Sequence, residues 1–239
     1  MHTDIQERSR QLVQALHQHK KDFHSVVPFD LHIEPVTVFD LTGQNEELTS
    51  LDLSNTHNMN EYIFGMMKRD HTRLGIGRYD EDRVIYKRSE LFDTSQDDRT
   101  IHLGIDLWVE AGMPVNAPLA SRVHSFQDNN NFGDYGPTII LEHELDGVVF
   151  YTLYGHLSRE SLENISVGQE ISAGEEFATV GNFPINGDWP PHLHFQIVLD
   201  MGEKTGDFPG VASIQERDYY TSLCPDPNMI LGLVQTDTV

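Results

Sequence analysis

His102-Leu103-Gly104-Ile105-Asp106 and His192-Leu193-His194 are the two runs that decide how this chain is interpreted. Alternate side chains of a β-strand share a face. On strands, His102 and Asp106 would therefore share one face, and His192 and His194 would share another. The apolar residues between them would point to the opposite faces. Gly104 lies between His102 and Asp106 and would leave space there. The spacing predicts two strands that present polar side chains on one side and pack a core on the other.

The chain around these runs also has a β-sheet pattern. An Asp146-Gly147 turn between two apolar runs predicts a hairpin, because glycine tolerates a positive φ. Strand-like alternation or apolar runs separated by turn residues predict strands at the following positions: 84–86, 101–109, 120–126, 137–143, 147–154 and 192–199. The pattern predicts a mainly β protein with minor α content and a compact antiparallel β-sheet core.

The segment before this core has a different sequence pattern. Apolar residues at helical spacing predict a helix over residues 4–24, and β-branched residues predict a strand within 26–41. Residues 43–60 are polar and predict a loop, with a short helix near 60–70. We therefore expect an N-terminal extension over 1–95, a β domain over 96–200 and a C-terminal tail over 201–239 that packs on the core.

Composition restricts the partners. The 239 residues include 16 basic and 38 acidic side chains, a formal net charge of −22. Such a surface repels nucleic acid and anionic membranes, so neither is an expected partner. No apolar run approaches the length of a membrane span, and the first residues lack a signal-peptide pattern, which predicts a cytoplasmic protein. The single cysteine, Cys224, excludes an intrachain disulfide and predicts a small buried residue.

The polar side chains of the two runs are those that bind catalytic zinc. Such sites use three protein ligands from histidine and carboxylate and keep one position open. His102, Asp106, His192 and His194 are the candidate ligands. A third run, Tyr154-Gly155-His156-Leu157, adds a histidine inside an apolar hairpin pattern. Mixed His and Asp ligands would also accept other divalent ions.

The order and spacing of these three runs resemble the lysostaphin-type (LytM-like) zinc metallopeptidases, over about residues 97–200. The resemblance implies that family's β core and one zinc ion per chain. It implies that His102, Asp106 and His194 bind zinc and that His156 and His192 are catalytic histidines. Which of the two is the general base stays open. The implied activity is hydrolysis of peptide bonds, as an endopeptidase of peptidoglycan-type or Gly-rich peptides.

A narrower resemblance leads to an alternative function. Residues 99–106, 187–196 and 206–211 resemble a bacterial subfamily of this fold whose members also occur fused to class III aminotransferases. Those fusions look cytosolic and metabolic. The alternative is a cytosolic zinc-binding accessory module, or a small-amide hydrolase, linked to an aminotransferase-type pathway. The expected partner is accordingly a peptide or a small amide, and a homo-oligomer stays open.

Two further interpretations concern residues outside the three runs. His57, Asn58 and Asn60 lie in a polar stretch that could cover the zinc site, although a plain packing layer or dimer arm is the favoured interpretation. His124 and His143 flank predicted strands and are expected to have structural roles.

Overall fold

Strands dominate the computed structural model, which describes residues 2–88, 93–94 and 97–234. The α-helices are α1 (His2–Gln18), α2 (Glu46–Thr49), α3 (Thr56–Asp70), α4 (Arg217–Leu223) and α5 (Asn228–Leu231). The first strands are β1 (Val36–Phe39), β2 (Leu74–Gly77), β3 (Asp93–Thr94), β4 (Asp97–His102), β5 (Ile105–Trp108) and β6 (Pro114–Asn116). The later strands are β7 (Ser121–Asn129), β8 (Gly136–Leu145), β9 (Val148–Gly155), β10 (Glu170–Ile171), β11 (Glu176–Thr179), β12 (His192–Val198) and β13 (Val211–Ser213). Two 3-10 helices lie at Val84–Arg88 and Arg159–Leu162.

Eight strands form one sheet in the order β1-β2-β5-β12-β9-β8-β7-β10. Neighbouring strands are antiparallel except for β1 and β2, which run parallel. The predicted mainly β fold with an antiparallel core is confirmed. Because β1 and β2 precede residue 95, the N-terminal segment extends the same sheet that carries β5 and β12.

The centre of this sheet is buried on both faces. Every residue of β5 and of β12 is buried. Leu193, Phe195 and Ile197 pack into the main core on one face, as the alternation predicts. A second core cluster, which includes Phe39 of β1 and Trp108 of β5, joins the N-terminal segment to the sheet. The polar side chains of β12 therefore lie under covering structure rather than in open solvent.

The hairpin that joins β8 and β9 agrees with the sequence prediction. Leu145 pairs with Val148, and Asp146 and Gly147 form the two-residue turn with φ values of 51° and 77°. Positive φ at both central residues is the geometry that matches the twist of the flanking strands. The hairpin fixes the register of β9, which ends at Gly155 just before His156.

The prediction of one strand over residues 101–109 is wrong. β4 ends at His102 and β5 begins at Ile105, and the two strands belong to different sheets. His102 pairs with Val211 of β13, whereas Asp106 pairs with His194 of β12. The alternation of polar and apolar residues in the sequence continues through this break, so the sequence pattern gives no sign of the change of sheet.

Three other boundaries differ from the predictions. Val84–Arg88 is a 3-10 helix rather than a strand, because Ile85 and Tyr86 pack into the second core cluster instead of pairing at a sheet edge. The predicted loop over 43–60 contains α2 and the start of α3, which is capped by the Asn55 side chain. α1 ends at Gln18 instead of residue 24, and turns follow it.

The C-terminal helices pack beside the first helix. α1 contacts α4 and α5. Leu12 and Leu16 of α1 belong to the same buried cluster as Leu223 and Ile230. Among the described residues, no helix combines the length and apolar character needed to cross a bilayer.

Candidate metal centre and active site

Three donor atoms from three strands meet at one buried point. The distance between His102 Nε2 and His194 Nδ1 is 3.0 Å, and Asp106 Oδ1 lies 3.2 Å from the former and 3.1 Å from the latter. A tetrahedral zinc ion with bonds of about 2.0 Å separates its ligand atoms by about 3.3 Å. Among the described residues, these three form the one group of His, Cys, Asp and Glu donors within metal-binding distance. The donor types and their spacing fit one zinc ion.

Each of the two histidines in this group has its other ring nitrogen occupied. His102 Nδ1 is 2.9 Å from the carbonyl oxygen of Arg78, and His194 Nε2 is 2.9 Å from Gln196 Oε1. A carbonyl oxygen only accepts, so the ring nitrogen beside it carries the proton. The nitrogens that face Asp106 are then the unprotonated ones, as metal coordination requires.

Arg83 completes the surroundings of Asp106, and sequence reasoning did not identify it. Its Nη1 donates to Asp106 Oδ2 at 2.6 Å, which leaves Oδ1 for the metal site. Burial by itself would raise the pKa of Asp106, but the neighbouring His102 and Arg83 outweigh burial and hold the pKa well below its usual value. No motif surrounds Arg83 in the sequence, and an arginine is by default expected at the surface.

Gln196 is a second functional side chain to which sequence reasoning assigned no role. It lies two residues after His194 on β12 and is fully buried. Its amide nitrogen donates to Pro209 O at 3.0 Å, which fixes the amide so that Oε1 faces His194. The signal that could have found it is the strand alternation, which puts Gln196 on the same face as His194.

His156 and His192 form a pair beside the three donors. Their ring centroids are 4.1 Å apart, and His192 Nε2 lies 3.9 Å from Asp106 Oδ1. Each Nδ1 donates to a backbone carbonyl, that of Asn186 at 2.8 Å for His156 and that of Pro190 at 2.7 Å for His192. Both Nε2 atoms are therefore lone-pair acceptors directed away from these carbonyls.

Burial favours the neutral form of both of these histidines. Burial lowers the pKa of His192 to about 4, against the opposing effect of Asp106. Burial, together with the neighbouring His192, holds the pKa of His156 well below its ordinary value. A neutral imidazole can accept a proton from a nucleophile and return it to a leaving group.

Backbone and aromatic contacts hold the pair in place. His156 has a φ of 61°, a left-handed conformation that a non-glycine residue adopts only under constraint. Its N–H donates to Tyr135 O at 2.8 Å, which supplies part of that constraint. Trp108 stacks on the His192 ring with centroids 4.1 Å apart and an interplanar angle of 28°.

A cavity of about 270 Å³ opens onto these groups. Asp106, His156, His192 and His194 line it. Part of its wall comes from outside residues 96–200, namely from Arg83, Ile85 and Tyr86 and from residues 207–211. The five predicted site residues are each no more than 6% exposed.

Other candidate residues lie elsewhere. His57, Asn58 and Asn60 do not line the cavity, and the His57 ring packs on Phe183. His124 bonds to Ser125, as expected of a structural histidine. His143 is buried and bonds to Thr152 Oγ1 and to a backbone carbonyl. The buried thiol of Cys224 accepts a hydrogen bond from Gln196.

The comparison with protein families agrees with this geometry. Residues 100–205 match the model described as Peptidase family M23. The match covers less than half of the chain and includes the three donors and both histidines of the pair. Among curated protein sequences, none matches this chain.

Solved structures of peptidases are similar over part of the chain. A Pseudomonas aeruginosa protein classed with the M23 peptidases is 25% identical over 56% of this chain and 45% of its own, with a TM-score of 0.38. The catalytic domain of lysostaphin from Staphylococcus simulans is 25% identical over 51% of this chain and 80% of its own, with a TM-score of 0.36. A zinc-containing peptidase from Vibrio cholerae is 24% identical over 44% of this chain and 29% of its own, with a TM-score of 0.33. This chain therefore spans less than half of the Pseudomonas and Vibrio proteins.

Proposed function

We propose that this protein is a zinc-dependent metallopeptidase in which His102, Asp106 and His194 hold the ion. The observation that carries the proposal is the triangle of donor atoms with sides of 3.0 to 3.2 Å beside His156 and His192, which both line the cavity. Zinc held by these residues would supply Lewis-acid chemistry, since it would polarise a scissile carbonyl and lower the pKa of a bound water. No His-Glu-x-x-His motif supplies a glutamate base in this sequence.

His156 and His192 are the proposed proton carriers. Each has one nitrogen committed to a backbone carbonyl and a free Nε2, so each can take a proton and hold it. One would accept the proton of the attacking water, and the other would stabilise the charge that develops on the carbonyl oxygen. The symmetry of their hydrogen bonds leaves the assignment between them open.

The possible substrates fall into two classes. Endopeptidase cleavage of peptidoglycan-type or Gly-rich peptides follows from the resemblance to lysostaphin-type peptidases. The size of the pocket favours a second candidate, hydrolysis of short peptides or small amides. Its volume of about 270 Å³ lies just below the range of about 300 to 1,000 Å³ in which proteins bind drug-sized ligands. A cross-linked polymer needs room on both sides of the scissile bond, whereas a short peptide or a small amide does not.

The experiment compares zinc content and turnover in the wild type, His156→Ala, His192→Ala and the matched control His124→Ala. Substrates are peptidoglycan cross-links, Gly-Gly peptides, dipeptides and small amides. We expect one zinc per chain in all four proteins, and at least a 100-fold loss of turnover in the two site variants alone. Near-normal turnover of either site variant would refute its role. Bound zinc in the wild type without turnover of any substrate would favour an accessory zinc-binding module.

A further inference from the structure

Arg83 belongs to the N-terminal segment, outside the part of the chain that matches the M23 model. Its side chain is 1% exposed, although a buried arginine is rare unless it is paired. Nη1 donates to Asp106 Oδ2 at 2.6 Å, Nε donates to Glu81 Oε2 at 3.0 Å, and Nη2 donates to Arg78 O at 3.0 Å. The guanidinium thus makes hydrogen bonds to three acceptors, and one of these acceptors is the metal donor Asp106.

The position of Arg83 determines which oxygen of Asp106 is available. Because Oδ2 accepts from the guanidinium, Oδ1 alone faces His102 and His194. A carboxylate held in this way can contribute one oxygen to an ion but cannot rotate to contribute two. Groups that hydrogen-bond to a metal ligand orient that ligand and strongly affect metal affinity.

Arg83 belongs to a buried network of charges around Asp106. Glu81 and Asp106 are both buried, and both pair with Arg83. Glu81 also pairs with Arg78, whose Nε lies 3.2 Å from Glu81 Oε1. The guanidinium of Arg83 is therefore fixed between two carboxylates, one of which is a metal donor.

The neighbouring backbone is adapted to the same contact. Gly77 of β2 pairs with Asp106 of β5. A Cβ atom on Gly77 would lie 2.7 Å from Arg83 Nη2 and 3.2 Å from Asp106 Oδ2. The next residue, Arg78, supplies the carbonyl oxygen that accepts from His102 Nδ1. Residues 77–83 therefore contact two of the three metal donors.

We propose that Arg83 is a positioning residue of the metal centre and that the segment over residues 77–83 forms its outer shell. Arg83 holds Asp106 as a one-oxygen ligand, and zinc affinity depends on this contact. The inference rests on the proposed zinc site but not on peptide hydrolysis.

The test measures zinc affinity by competition with a chelator, together with the visible spectrum of the cobalt-substituted protein. The full-length variants are Arg83→Met, Arg83→Lys, Gly77→Ala and the control Arg73→Met. Arg73, whose side chain is exposed, forms a bidentate pair with Glu34, and neither residue lines the cavity. We expect Arg83→Met and Gly77→Ala to weaken zinc binding about 10- to 100-fold and to alter the cobalt spectrum. Arg83→Lys keeps the positive charge but loses the planar set of guanidinium donors, so its zinc affinity should lie between that of these variants and that of the wild type. Arg73→Met should stay within about twofold, as expected for an exposed pair.

Two results would overturn the inference. One is zinc affinity and a cobalt spectrum like those of the wild type in folded Arg83→Met. The other is failure of both Arg83 variants to fold, by circular dichroism, with or without zinc, which would give Arg83 a purely structural role. A wild type that binds zinc but cleaves no substrate would refute the proposed peptidase activity and leave this inference intact.

Discussion

Gly104→Ala tests whether the metal site depends on the missing side chain between its ligands. A Cβ atom at residue 104 would lie 2.5 Å from His194 Cε1 and 2.6 Å from His194 Nε2. Carbon atoms pack at about 3.5 to 4.0 Å, so the imidazole would have to move by about 1 Å. The backbone cannot relieve this contact on the other side, because the same Cβ lies 2.9 Å from Phe195 O.

A shift of this size exceeds what the site tolerates. Metal–ligand distances are defined to about 0.2 Å. The hydrogen bond of 2.9 Å from His194 Nε2 to Gln196 would also be lost or strongly distorted. We expect zinc affinity to fall by at least about 100-fold, since loss of an outer partner alone costs about 10- to 100-fold. Overpacking should cost the metal-free protein about 1 to 3 kcal/mol.

The assay is chelator competition for zinc, with thermal melts of the metal-free protein. Gly65→Ala is the matched control, because Gly65 lies within α3 and a Cβ there meets no atom within 4 Å. It should leave zinc binding unchanged and raise stability by about 0.5 to 1 kcal/mol. The reasoning is wrong if Gly104→Ala binds zinc as tightly as the wild type and its metal-free form melts at the same temperature.

Three further perturbations have defined outcomes. Burial lowers the pKa of His143 to about 4 from 6.5. The unfolded chain therefore binds more protons between these values, and stability should fall as pH drops from 6.5 to 4, by about 3 kcal/mol for this residue. Urea unfolding of His143→Gln across this range should show a flatter profile, and an unchanged profile would contradict the assignment. Removing zinc with a chelator should lower the melting temperature of the wild type by about 10 °C, on the basis of about 4 kcal/mol of binding linkage. The shift in Gly104→Ala should be no more than about 4 °C, because a site weakened about 100-fold keeps only about 1.4 kcal/mol of that linkage. Equal shifts in the two proteins would count against the site. In Gly155→Ala, a Cβ atom would lie 2.5 Å from Tyr135 Cδ1. Turnover should therefore fall at least tenfold, while zinc content stays at one per chain. Loss of zinc from this variant would refute the prediction that the substitution affects turnover and not metal binding.

The sequence predicts the β12 face well, and the reason is local. The alternation from His192 to Gln196 is carried by one continuous strand, so side chains that share a face in the pattern share it in the structure. The Asp146-Gly147 turn is equally local, because two adjacent residues determine its backbone. Features that depend on residues one or two positions apart can be inferred before any tertiary contact is known.

Arg83 shows where such inference ends. Its partner Asp106 is 23 positions away, and the contact depends on β2 pairing with β5 so that Gly77 faces Asp106. Nothing in the pattern around Arg83 indicates burial. The sequence also does not predict the 3-10 helix that begins at Val84, because its short apolar run is equally typical of a strand.

The sequence by itself determined the antiparallel β class, the chemical types of the candidate donors and the shared face of the polar side chains of β12. It could do so because strand periodicity and turn chemistry act between near neighbours. Only the tertiary structure decided that the chain changes sheets at Leu103-Gly104, that Arg83 occupies the second oxygen of Asp106, and that distant segments enclose the pocket. Those features arise from strand pairing and burial between residues far apart in the chain, which local periodicity does not encode.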